Sequence, residues 1–141
     1  MENDTQGEVN CFMTVDPGEW FRQAQYDFGT AESLVASGRY PPAVFFCHLA
    51  LEKGLKALWR EKFDSEPDKT HNLVYLVELL GLELPQHLLD SLFVINRTGV
   101  TGRYPHNLEK VLEQYTKEKA TKMLAETQEI LTWLMQKSSK R

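Results

Sequence analysis

Residues 43–58 read AVFFCHLALEKGLKAL, and their pattern decides the fold class. Val44, Cys47, Leu51, Leu55 and Leu58 recur at helical spacing along one stripe, and Ala43, Phe46, Ala50 and Ala57 form a second stripe beside it. Only a narrow wedge is strongly polar: Glu52, Lys53 and Lys56 project from one side of the helix. A helix apolar over most of its circumference must be surrounded by protein, either neighbours in its own bundle or a second subunit. Both are expected here. Glu52 and Lys56 then read either as an i,i+4 surface pair or as polar groups facing a cleft or a dimer seam.

Upstream, Pro41 and Pro42 break the chain, so this helix is predicted over about 43–62. Before the break, Asp16-Pro17-Gly18-Glu19 supplies an N-cap acid, a proline at the first helical position and a following glutamate. Trp20, Ala24, Phe28, Ala31 and Val35 extend an apolar stripe from there until Gly38 ends it. Asp27 falls on the margin of that stripe, a carboxylate that needs a partner once desolvated and otherwise sits at the rim. Residues 1–15 are polar and aperiodic and read as a loose acidic tail.

Downstream, residues 64–69 (DSEPDK) form a connector, and Thr70 caps a third helix opened by His71, which carries Leu73, Leu76, Val77 and Leu80 to a stop at Gly81. A fourth helix is predicted over about 85–96 with Leu88, Leu89, Leu92 and Ile95 turned inward. Residues 107–114 add a short helical turn. A long last helix follows Thr116 and buries Ala120, Leu124, Leu131 and Leu134, leaving 138–141 as a frayed basic end. The globular part is thus one helical domain over 16–137, an all-α, four- to five-helix up-and-down bundle.

With 141 residues, 42% of them hydrophobic, the chain can bury one core without disulfide or metal. The net charge of -4 argues against coating nucleic acid by bulk electrostatics. Much of the acidity is local, however, since residues 1–20 hold five acids and no Lys or Arg. Two cysteines, Cys11 and Cys47, are too few for a disulfide framework and too widely spaced for a CxxC motif, which fits a reducing cytoplasm. No apolar run is long enough for a membrane span, and the acidic N-terminus does not read as an export signal.

Neither a Walker loop nor GxGxxG, HExxH or GxSxG occurs, and His48, His71, His87 and His106 do not pair at metal-ligand spacing. No metal or cofactor is expected. The stretch 97–106, RTGVTGRYPH, is the chemically suggestive one, because no acid lies between Asp90 and Glu109. Arg97 and Arg103 can hold phosphate bidentately, His106 can move protons near neutral pH, and Tyr104 can stack or hydrogen-bond. In a metal-independent cleavage of RNA, His106 would act as acid or base and Arg103 would stabilise the phosphorane. The same loop can equally be a packed connector.

Residues 24–34 (AQYDFGTAESL), 43–58, 70–73 (THNL) and 103–105 (RYP) together resemble successive landmarks of HEPN domains. The resemblance covers nearly everything from Trp20 to Trp133. It implies a dimer-forming helical bundle, often encoded beside a small nucleotidyltransferase, with many relatives acting as metal-independent RNases or toxins. The family's RNases place arginine and histidine four to six residues apart. Here Arg97 and His106 have eight residues between them, and Arg103 and His106 have two, so neither pair matches. The resemblance carries over Arg103, Tyr104 and Pro105 as the loop, Asp27 on helix one, Glu52, Lys53 and Lys56 on helix two, and His71 opening helix three. The expected function is a homodimeric nucleotide- or RNA-binding module. Its rivals are a ribonuclease toxin of a toxin-antitoxin pair and a protein-interaction scaffold without ligand.

Overall fold

The structure, a computed structural model, describes residues 15–100 and 107–139. Among these it has six helices and no strand: α1 (Pro17–Ala36), α2 (Tyr40–Phe63), α3 (Leu73–Leu80), α4 (Gln86–Val100), α5 (Leu108–Gln114) and α6 (Lys117–Gln136). The all-α bundle expected from the sequence is what the chain forms. Four long helices make its frame, and the short α3 and α5 close it.

The helix starts follow local chemistry. Asp16 accepts from the Gly18 amide at the head of α1, Asn107 accepts from Glu109 and Lys110 at α5, and Thr116 accepts from Lys119 at α6. At α2 the prolines do not break the chain: the helix begins at Tyr40 and Pro41 and Pro42 lie in its first turn. Amides there have no intrahelical acceptor, so proline loses nothing and its fixed φ suits the helix. Gly81 ends α3 with a φ of 66°, a left-handed cap that glycine adopts without strain.

The doubly apolar α2 is the axis of the molecule and touches all five other helices. Leu51, Leu55, Ala50 and Ala57 are fully enclosed, packed with Leu73 and Leu76 of α3, Leu92 and Ile95 of α4, and Ile130 and Leu134 of α6. Most of α2 is therefore covered by its own chain. What stays open on it is near the N-terminal end, where Phe45 is 40% exposed. Gly54 lets α6 approach closely: a Cβ there would stand 3.1 and 3.2 Å from methyl groups of Leu131 and Leu134.

Three further features differ from the sequence reading. On α1 the stripe is rotated, with Phe21 buried and Trp20 half-buried. α4 runs four residues beyond Asn96, so Arg97 and Thr98 belong to a helix and not to a connector. No proline intervenes to stop it, and the Thr98 hydroxyl bonds back to the Val94 carbonyl at 3.0 Å. Near the C-terminus, Ser138 is buried and its hydroxyl donates to Glu61, while the Ser139 amide donates to the same carboxylate at 3.0 Å. These bonds dock residues that composition alone assigned to a frayed end.

Candidate functional site

The polar wedge of α2 points inward and not to solvent. Because helices cover most of α2, Glu52, Lys53 and Lys56 either found partners or were left as desolvated charges, which is costly. Glu52 is 5% and Lys56 8% exposed, with Lys56 Nζ donating to Glu52 Oε2 at 3.0 Å. Lys53 reaches across to α1 and pairs with Asp27 at 2.9 Å. Asp27, read from the sequence as a rim carboxylate, is 7% exposed. The contact is an ion pair whose angles miss those of an aligned hydrogen bond.

Glu52 gathers more than Lys56. The Nδ1 of His71 lies 3.0 Å from Oε1 and 3.2 Å from Oε2, and the Nδ1 of His48 lies 3.8 Å from Oε1. The two imidazoles sit in opposite surroundings. The side chain of His71 is 77% exposed, whereas that of His48 is 4% exposed and its Nε2 has no hydrogen-bond partner among the described residues. Burial lowers the pKa of His48, opposed by the neighbouring Glu52 charge.

His71 is held over Glu52 by the start of α3. It precedes that helix and does not open it: Asn72 is the N-cap and accepts from the Tyr75 amide at 3.2 Å, while Thr70 Oγ1 accepts from the Asn72 amide at 3.1 Å. Asn96 of α4 completes the join. Its Oδ1 accepts from the Leu73 amide at 2.8 Å and its Nδ2 donates to Asn72 Oδ1 at 3.1 Å. Asparagine at 96 carried no signal in the sequence, because its partners are backbone and side-chain groups more than 20 residues away.

On the opposite face of α4 a cleft of about 490 Å³ opens between α4, α5 and α6. Val94, Met123 and Tyr115 supply apolar lining. Lys119 and Lys122 stand along the α6 wall, with Asp90 on α4 and Glu126 on α6 as acids at the rim. Lys122 pairs loosely with Glu126 at 3.5 Å, and Lys119 is exposed with no ion-pair partner among the described residues. Sequence reading missed this cleft. The signal available was that 87, 90, 91, 94 and 98 share one face of α4, which shows only once α4 is known to reach 98.

The candidate residues therefore fall into separate groups. Glu52, Lys56 and His71 come together; Asp27 and Lys53 form their own pair. Arg97 is exposed in the last turn of α4, next in sequence to Asn96. Arg103, Tyr104 and His106 lie in 101–106, outside the described residues. Cys47 is buried, and burial pushes its thiol up to about 11. No helix of the described residues is long and apolar enough to cross a membrane.

Comparison with solved structures places the fold. TT1696 from Thermus thermophilus aligns with a TM-score of 0.76 and 25% identity over 86% of this chain and 98% of that one. ST0689, an archaeal HEPN homologue, aligns with a TM-score of 0.71 and 22% identity over 86% of this chain and 97% of that one. No curated protein matches. The HEPN domain family model matches residues 18–138, nearly the whole helical bundle, and the chain belongs to the HEPN family.

Proposed function

We propose that this HEPN protein binds a nucleotide, or the end of a short RNA, in the cleft between α4 and α6. One observation carries the reading. The cleft that bears Lys119 and Lys122 over an apolar lining lies beside the C-terminal end of α4, where the acid-free stretch 97–106 begins. Lysines suit phosphate, the apolar lining suits a base, and Asp90 and Glu126 can accept from ribose hydroxyls or exocyclic amines. Lys53 and Lys56, expected from the sequence to line such a cleft, are committed to Asp27 and Glu52. Lys119 and Lys122 take that role.

The protein acts as a homodimer, in this reading, and works beside a small nucleotidyltransferase. Support for the dimer is exposed apolar surface: Phe45 in the N-terminal half of α2 is 40% exposed, and Leu108 and Leu112 of α5 are 57% and 49% exposed. A groove runs between Pro41, Pro42 and those two leucines.

Titration with adenosine and guanosine nucleotides and with short single-stranded RNA tests the site. Lys119→Ala combined with Lys122→Ala should weaken binding on the order of tenfold or more and flatten its salt dependence. Unchanged curves would remove the cleft as the site. Cleavage of the RNA during the titration, without metal, would favour the ribonuclease reading instead.

A further inference from the structure

We propose that His71 is a phosphoryl acceptor, modified on Nε2 in the folded protein. The inference is independent of the cleft, which lies on the other side of α4.

The geometry carries it. A neutral imidazole that donates from Nδ1 to Glu52 at 3.0 Å has its lone pair on Nε2, and a side chain 77% exposed presents that atom to solvent. The carboxylate beneath is nearly enclosed, 6% exposed, so it is held in place and the tautomer with it. As an N–P bond forms from the Nε2 lone pair, positive charge develops on the ring directly opposite a fixed carboxylate. The leaving group departs with the electron pair of its bond to phosphorus, and Nδ1 keeps its proton.

Two structural duties that would otherwise explain His71 are discharged by other residues. Lys56 already compensates the charge of Glu52 at 3.0 Å. The first turn of α3 is capped by Asn72, Thr70 and Asn96 without the imidazole. A catalytic base within this chain would need a cleft to position substrate, and the clefts at α4–α6 and at Pro41–Pro42 are lined by other residues. An exposed, oriented nucleophile is what a phosphoryl donor from solution can reach.

His87 is a built-in comparison. It is also exposed, at 67%, but its partner Glu129 is 58% exposed and meets Nε2, so neither the tautomer nor the orientation is fixed in the same way.

The test uses phosphoramidate, a small phosphoryl donor whose P–N bond breaks to release ammonia. The native protein should gain one acid-labile phosphoryl group, mapped to His71 by peptide mass and to Nε2 by phosphorus resonance. Labelling of His71 should run on the order of tenfold faster in the native protein than in urea-unfolded chain, the low end of what carboxylate partners contribute at metal-ligating histidines. Glu52→Gln, shown folded by circular dichroism, should lose most of that advantage; His87→Ala should keep it. Equal labelling of His71 and His87, an Nδ1 product, or no native advantage would each overturn the proposal, and none bears on nucleotide binding in the cleft. The native-to-unfolded ratio stands even if Glu52→Gln does not fold.

Discussion

Glu52 and Lys56 form an enclosed ion pair one helical turn apart, Nζ 3.0 Å from Oε2, with side chains 6% and 10% exposed. The same spacing on a surface helix would contribute a few tenths of a kcal/mol. Inside the bundle the situation is asymmetric, since removing one member strands the other away from water. Lys56→Met should cost about 3–5 kcal/mol in urea unfolding, while the joint replacement of Glu52 by Leu and Lys56 by Met should cost less than either single change. Single variants with wild-type midpoints would contradict the enclosure of the pair.

Asp27 and Lys53 tie α1 to α2 at 2.9 Å, with the carboxylate on the more buried side. Asp27→Ala should destabilise by about 1–3 kcal/mol, because the lysine is left partly desolvated. High salt should change that difference little, in contrast to the Lys122–Glu126 pair, whose lysine is exposed. Chemical denaturation by urea at two salt concentrations checks both statements.

Gly54 marks a close approach of α2 and α6, with Leu131 and Leu134 methyls 3.1 and 3.2 Å from where a Cβ would stand. Alanine gains about 1 kcal/mol in helix propensity and crowds two leucine ends, so the thermal midpoint should move little. Valine adds volume that neither leucine can vacate, and should lower stability by about 1–3 kcal/mol or more. A Gly54→Val protein as stable as the wild type would mean that the two helices sit further apart.

His48 predicts an acid-sensitive fold. Its folded pKa lies below the ordinary 6.5 because burial disfavours the imidazolium. The unfolded chain therefore binds the proton more readily, and the stability His48 contributes is complete above pH 6.5 and lost as pH falls below it toward the folded pKa. The groups facing it include Glu52 on its own helix, His71 before α3 and Asn96 on α4. His48→Leu should reduce the loss of stability between about pH 7 and pH 5, by at most about 1.4 kcal/mol per pH unit. An unchanged slope would assign the acid sensitivity to another group.

The helices were legible because their signals are local. Asp16-Pro17, Asn107 and Thr116 sit beside the amides they cap, and the two apolar stripes of α2 repeat every three or four residues. Boundaries slipped where two local readings competed. Pro41-Pro42 is a break in a helix interior and a good first turn at its start. Residues 97–100 look like the front of a glycine-bearing loop, yet nothing among them prevents α4 from continuing.

The candidate site was legible only as residue types. Periodicity put Glu52, Lys53 and Lys56 on one face of α2, and the resemblance to HEPN domains added Asp27 and His71. It did not say that Lys53 meets Asp27 while Glu52 meets both Lys56 and His71. Those pairings join groups far apart in the chain, and Asn96, which locks α3 to α4, was missed for the same reason.

By itself the amino-acid order determined an all-helical chain, a central helix wrapped in protein, and the set of charged residues that this helix must carry. Those follow from hydrogen bonding and apolar spacing within a few residues. Only tertiary packing decided which charges are buried, which imidazole faces water, and where a cleft opens between α4 and α6. Each of these depends on how helices distant in sequence meet, and desolvation acts on the meeting and not on the sequence.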